Sequence, residues 1–241
     1  EENLNKPVDP DEINDDIGKI LVKLARQSVE YYFKNKELMK VPENLPKILY
    51  RPGAAFTTIE TYYSEEQHSL RGCIGFIEPI KPLAKTVIEV SVESAFNDPR
   101  FNPMDEYELD TVTFEVSVLS KLEEAPLDKE GRISFVVIGR DGLVAERGYH
   151  RGLLLPQVPV ENLWDKETFL SETCLKAGLW PDCWLDNRTR IYRFRAMAWK
   201  ELKPKGDIVR RDLALEYNAL INSSKSKWSL WNFYVIFVIK F

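Results

Sequence analysis

The chain has 241 residues, 44% hydrophobic and 29% charged, with a net charge of −5, a globular composition with room for one large domain or two modest ones. Its three cysteines, Cys73, Cys174 and Cys183, are an odd set with no CxxC pair, which argues against a secreted disulfide framework and for a reducing, cytoplasmic setting. The acidic, polar opening EENLNKPVDPDEIND has the character of neither a signal peptide nor a transit peptide.

Apolar residues at Ile13, Ile17, Ile20, Leu21, Leu24 and Tyr31 keep helical spacing behind Pro10, which predicts a first helix over about Asp11 to Phe33. A proline-rich connection follows. AAFTTIETYY is β-branched and aromatic and reads as a strand, joined through SEEQHS to a second strand that runs through Arg71 to Phe76. Pro79 and Pro82 open a second helix, small or apolar on two neighbouring faces, which ends near Asn97 because NDPRFNP carries two prolines.

TVTFEVSVLS alternates, so Val112, Phe114, Val116 and Val118 are expected inside, with Thr113, Glu115 and Ser117 outside. Between Arg132 and Val158 two or three short strands are expected, with turns at Arg140-Asp141-Gly142 and near Gly148. A third helix is expected from about Glu161 to Leu179, with Gly178 close to its stop. TRIYRFRAMAWKEL is a further alternating strand. Hairpin-linked strands between helices, without regular βαβ alternation, indicate an α+β fold with an antiparallel sheet.

Between Arg188 and Arg211 nine Lys/Arg face two acids, a local +7, so the remainder carries −12. On an acidic protein this segment reads as a solvated strand edge in preference to a nucleic-acid surface. The run KWSLWNFYVIFVIKF is too short to span a bilayer as a helix, and its composition suggests a terminal strand that docks or mediates homo-oligomer formation.

The chemistry centres on LRGCIG. Strand alternation puts Arg71 and Cys73 on one face, about 7 Å apart along the strand, with Leu70, Gly72 and Ile74 on the other. A nearby guanidinium favours the thiolate, and strand glycines mark a bulge or a close backbone approach. The same parity sends His68 to the face away from Cys73, and His150 lies in a loop, so no base for a Cys/His dyad is identified. Asp98 and Arg100 in NDPRFNP either brace a turn or join Arg71 around an anion, because arginine offers a planar fork to carboxylate or phosphate. The scattered histidines and cysteines lack metal-ligand spacing, and GxGxxG and GxxxxGK[ST] are absent. No metal and no cofactor is expected.

LRGCIG at 70–75, DPRFNP at 98–103, SVLS at 117–120, LLLPQV at 153–158, Trp164 and KAGL at 176–179 together resemble archaeal members of the AMMECR-type domain family. The resemblance covers residues 11–203. It leaves 204–241 as a C-terminal extension, apolar from 228. It implies a cytosolic α+β protein with a larger and a smaller subdomain and a cleft between them near the hexapeptide. It carries over Arg71, Gly72, Cys73, Gly75, Asp98 and Arg100 as site candidates, and it implies a Memo-like or radical-SAM protein as partner. It implies no particular reaction. Two functions follow: an enzyme or enzyme component that binds a small anionic substrate, with Cys73 as nucleophile, or a non-catalytic adaptor.

Overall fold

Short polar side chains set the helix starts. In the computed structural model, which describes residues 5–224, Asn14 accepts the Ile17 N–H and starts α1 (Asp15–Asn35). Pro10–Glu12 forms a separate 3₁₀ turn, so the first helix begins four residues later than its apolar spacing suggests. The other elements are β1 (Ala54–Ser64), β2 (Gln67–Phe76), α2 (Leu83–Phe96), β3 (Val112–Leu119), β4 (Glu123–Glu124), α3 (Lys129–Phe135), β5 (Asp141–Arg147), β6 (His150–Leu154), α4 (Gln157–Glu161), α5 (Lys166–Lys176), β7 (Arg190–Glu201) and β8 (Ile208–Arg210). The fold is α+β, and every strand pairing is antiparallel.

The chain divides into two units. The first comprises the residues up to Lys121 together with Ala196–Arg211, and the second comprises Leu122–Arg195 and the residues from Asp212. In the first, the strand order is β2-β1-β3-β7-β8, and α1 and α2 pack on one face of that sheet. Its core joins Leu21, Val22, Ala25 and Val29 of α1 and Val87 and Ile88 of α2 to Ile59, Phe114, Val116 and Trp199 of the sheet. Gly18 lies against the Trp199 indole, where any side chain would collide with the ring. Arg26 is buried on the same side, and Glu201 compensates its charge through bonds of 2.7 Å from both Nε and Nη2. The remaining Arg26 donors reach the Leu109 and Val112 carbonyls.

In the second unit the order is β4-β7-β5-β6. The strand expected over Arg132–Phe135 is helix instead, because Asp128 caps it at the Gly131 N–H and the fully buried Arg132 donates to the Pro126, Trp184 and Thr189 carbonyls. Asp141-Gly142 is a strand start, and the tight turn falls at Gly148, φ +58°. The third helix is two: Leu163 takes φ +53° between α4 and α5, and Asp165 caps the second piece at Thr168. Gly178, φ +74°, ends it as expected.

Three further expectations are corrected. Strand β3 is buried on both faces, Thr113, Glu115 and Ser117 included. Strand β7 is not a sheet edge: it has neighbours on both sides in each unit, and Arg188, Arg190, Arg193, Lys205, Arg210 and Arg211 each pair with an acid. Cys174 and Cys183 form a disulfide, Cα–Cα 5.8 Å, between α5 and the 3₁₀ turn Pro181–Leu185. The odd cysteine count therefore hides one bridge and one free thiol, and it loses its force as an argument for a reducing compartment. Residues 213–224 are helical, and the apolar run from 228 lies outside the described residues.

Candidate functional site

LRGCIG lies on β2, the edge strand of the first sheet. The register with β1 pairs Ile59 with Gly72 but Glu60 with Leu70, so Arg71 is the extra residue of a β-bulge. Directly opposed residues share a face, so the bulge overturns simple alternation. Cys73 faces the same side as Thr58, while Leu70 and His68, opposite Glu60 and Tyr62, join that side. His68 is nonetheless five residues from Cys73 along an extended strand, about 16 Å, too far for a dyad.

The bulge turns Arg71 onto the 3₁₀ segment Glu106–Asp110. Its Nε and Nη2 donate to the two Glu108 oxygens at 2.6 and 2.9 Å, a bidentate pair with both side chains largely buried. Bonding to Arg71 holds the Glu108 carboxyl below its usual range, against its own burial. Glu108 also accepts the Asp105 N–H and closes a capping box, so one carboxylate both starts that turn and ties it to β2.

Gly72 meets the last turn of α2: a Cβ there would run into the Ser94 carbonyl. The Ser94 hydroxyl bridges the two strands, accepting the Ile74 N–H at 2.8 Å and donating to the Thr57 carbonyl at 2.8 Å. Gly75 fits for a similar reason, since a Cβ would strike the Phe56 ring. Both glycines are thus explained by close approach within the fold.

At Cys73 the backbone of the edge strand is clasped by side chains. Asp98 accepts its N–H at 2.9 Å, and Arg100 Nη2 donates to its carbonyl at 3.3 Å. Arg100 also grips Asp98 through Nε and Nη2 at 2.9 and 2.7 Å. Asp98 is 3% exposed, and burial alone would raise its carboxyl; the Arg100 fork and the Cys73 and Arg100 N–H groups outweigh that and hold it at about 2. The pair satisfies the strand's outward donor and acceptor as a neighbouring strand would, and so blunts an edge.

Burial pushes the Cys73 thiol up to about 11, against the pull of the Thr58 hydroxyl, 3.3 Å away, and of Arg100. The guanidinium expected to activate it, Arg71, is committed to Glu108 instead. Arg71 and Arg100 do share one neighbour, the Phe101 ring, at 5.9 and 5.6 Å. One donor of the motif, Arg71 Nη1, is buried without a partner.

The structure thus brings five of the six residues, Arg71, Gly72, Cys73, Asp98 and Arg100, into one clasp between β2, α2 and the 97–110 loop, with Gly75 packed beside it on Phe56. Sequence reasoning missed Glu108, Ser94 and Thr58. Only Glu108 carried a signal, the Asp105-x-x-Glu108 capping pattern. Among the described residues no group of three or more His, Cys, Asp or Glu is placed to hold a metal, and no helix is long and apolar enough to cross a membrane.

A two-unit α+β chain with a bulged, side-chain-clasped edge strand has solved relatives. Residues 22–199 match the AMMECR1 family, and the chain belongs to it. It is 47% identical over 201 residues to a protein of Thermococcus onnurineus, covering 83% of this chain and 98% of that one. With Protein SSO0193 of Saccharolobus solfataricus it shares 45% over 218 residues, covering 88% and 95%. The crystal structure of the uncharacterized protein PH0010 from Pyrococcus horikoshii superposes with a TM-score of 0.81 at 45% identity, covering 83% of this chain and 99% of that one.

Proposed function

We propose that the chain is a binding module in which LRGCIG is a structural clasp, and that its partner is a protein of the Memo-like or radical-SAM kind that the family resemblance implies. One observation carries the proposal: at the hexapeptide both arginine forks are taken by internal carboxylates, while burial pushes the thiol pKa up. A nucleophilic cysteine needs the thiolate, and a pKa of about 11 leaves very little of it at neutral pH.

What the clasp presents is the 97–110 loop. Asp105 and Glu106 are exposed there, and Tyr107 is 74% exposed, an aromatic tip flanked by acids. Such a surface fits a basic groove with an apolar floor, since aromatic anchors ringed by charge dominate many interfaces. Arg71, through Glu108, fixes the turn that carries Tyr107.

The test is a pull-down and titration with a Memo-like and a radical-SAM protein. Tyr107→Ala and Glu106→Lys should each weaken binding about tenfold or more without moving the melting temperature, and Cys73→Ala should leave binding unchanged. Turnover that disappears with Cys73→Ala would overturn the proposal.

The orphaned Nη1 of Arg71 favours a second reading, a small anion received at the hexapeptide. Arg71→Lys removes that donor. If phosphate or acetate shifts the amide resonances of residues 71–74 in the native chain and not in the variant, this second reading gains.

A further inference from the structure

We infer that the Cys174–Cys183 bridge is a redox latch: closed, it holds the segment Trp180–Thr189 onto the second unit, and reduction by a dithiol opens that segment while the rest of the fold stands. The inference is independent of the role given to the hexapeptide, and none of the residues it assigns belongs to the clasp.

The backbone of this segment holds only to itself. Among the described residues its N–H groups at Cys183, Asp186 and Thr189 donate to the carbonyls of Trp180, Cys183 and Asp186, all within the segment. The strand ladder of the second sheet begins after it, where Arg190 of β7 opposes Glu146 of β5. Side chains make the other attachments. Arg132 donates to the Trp184 and Thr189 carbonyls, and the Trp184 indole donates to the Ser171 hydroxyl at 3.1 Å. Arg147 pairs with Asp186 at 2.8 Å and lies over the Trp180 ring, 4.8 Å from its centre. The bridge adds one covalent tie, from Cys183 in the 3₁₀ turn to Cys174 on α5.

Opening this segment uncovers little. Cys183 and Trp184 are its two members of the core, while Trp180, Leu185 and Arg188 are already exposed. Segments with few buried apolar contacts and no ladder bonds open locally at low free energy, so without the bridge this one is the second unit's weak point. The two cysteines are nine residues apart, and closing a loop of that length shifts an opening equilibrium about a hundredfold toward the closed form. The redox state of one bond therefore sets how often the segment is open.

A dithiol supplies the electrons. One of its thiolates attacks a bridge sulfur, the S–S bond breaks, and the displaced cysteine leaves as a thiolate that takes up a proton. The second thiol of the reductant loses its proton and attacks the mixed disulfide, which frees the other cysteine. Two electrons and two protons have then passed to the bridge, and the reductant is left as a disulfide. Both cysteines are fully buried, so the attack waits for the segment to open. Opening admits the reductant, and reduction in turn favours the open form.

The experiment follows amide hydrogen exchange in the full chain before and after dithiothreitol, with thiols counted under denaturing conditions. The oxidised chain should show one free thiol, Cys73, and the reduced chain all three cysteines. On reduction the Cys183, Asp186 and Thr189 amides should exchange about a hundredfold faster, those of β1, β3 and β5 should keep their protection, and reoxidation should restore the first set. The reduction rate should level off as dithiothreitol rises, because opening limits it. A chain carrying both Cys174→Ala and Cys183→Ala should exchange like the reduced chain with or without dithiothreitol. Unchanged protection at those three amides after reduction overturns the proposal. So does loss of protection throughout β5, which would make the bridge a staple of the whole unit, and so does a count of three thiols in the chain before reduction.

Discussion

Two regions of one sheet treat their charges in opposite ways. At the edge, around Cys73, Asp98 takes a backbone N–H and a guanidinium fork, Arg71 fills both oxygens of Glu108, and Ser94 stitches two strands. Two strands further in, on β3 and its neighbours, Glu60 and Lys200 face a half-buried surface with no hydrogen-bond partner among the described residues. Satisfied buried polar groups rigidify a fold, whereas charges met by solvent hold no neighbouring element in place. The bonds around the conspicuous motif tie β2 to α2 and to the 97–110 loop, whereas the inner face leaves Glu60 and Lys200 without such ties.

The comparison breaks most sharply at Asp98. Asp98→Ala should cost about 3 kcal/mol in urea denaturation, because it strands the Cys73 N–H and the Arg100 fork together. The acid limb carries the same information. With the folded carboxyl at about 2, below its ordinary 3.8, the Asp98 contribution is fully present above about pH 4 and is lost as pH falls toward 2. An acid limb identical in native chain and Asp98→Asn variant would remove the clasp from the energetics.

Gly72→Ala comes next, at about 2 kcal/mol, because the new methyl must push α2 off the strand at Ser94. Retention of full stability would mean that the helix is not seated there.

The smallest effect has the opposite sign. Since the folded pKa of Glu60 is raised, its ionised form is penalised once pH exceeds the folded value, and the penalty vanishes below the unfolded value of 4.5. Glu60→Gln should therefore raise the melting temperature at pH 7 by about 2 °C and change nothing near pH 4. A loss of stability at pH 7 would show that Glu60 already has its partner.

Much of the architecture was legible in the sequence because periodicity reports it: β1, β2, α2, β3 and β7 fall where alternation and helical spacing place them. Single-residue events were not legible. Asn14 and Leu163 break helices at points where the apolar pattern continues, and the Arg71 bulge shifts every side chain before it to the other face. The Cys174–Cys183 bridge spans nine residues with no spacing motif to announce it. Asp98 and Arg100 join Cys73 in the sequence reading only through the family resemblance, because a compact turn does not by itself say which strand it meets. The partner of Arg71 could not be placed, because Glu108 is 37 residues away. Glu60 and Lys200 become neighbours of Glu115 only through two strand registers, which alternation within one strand does not fix.

The most direct measurement follows from Cys73 being the one thiol outside the disulfide. Alkylation of the native chain should be monitored from pH 6 to beyond pH 10. If the hexapeptide is a clasp, the thiol stays nearly inert at neutral pH and reacts only as pH approaches about 11 or as the fold opens. Fast modification with a midpoint near or below the ordinary thiol value of about 8.5 would contradict it and would return Cys73 to the role of nucleophile.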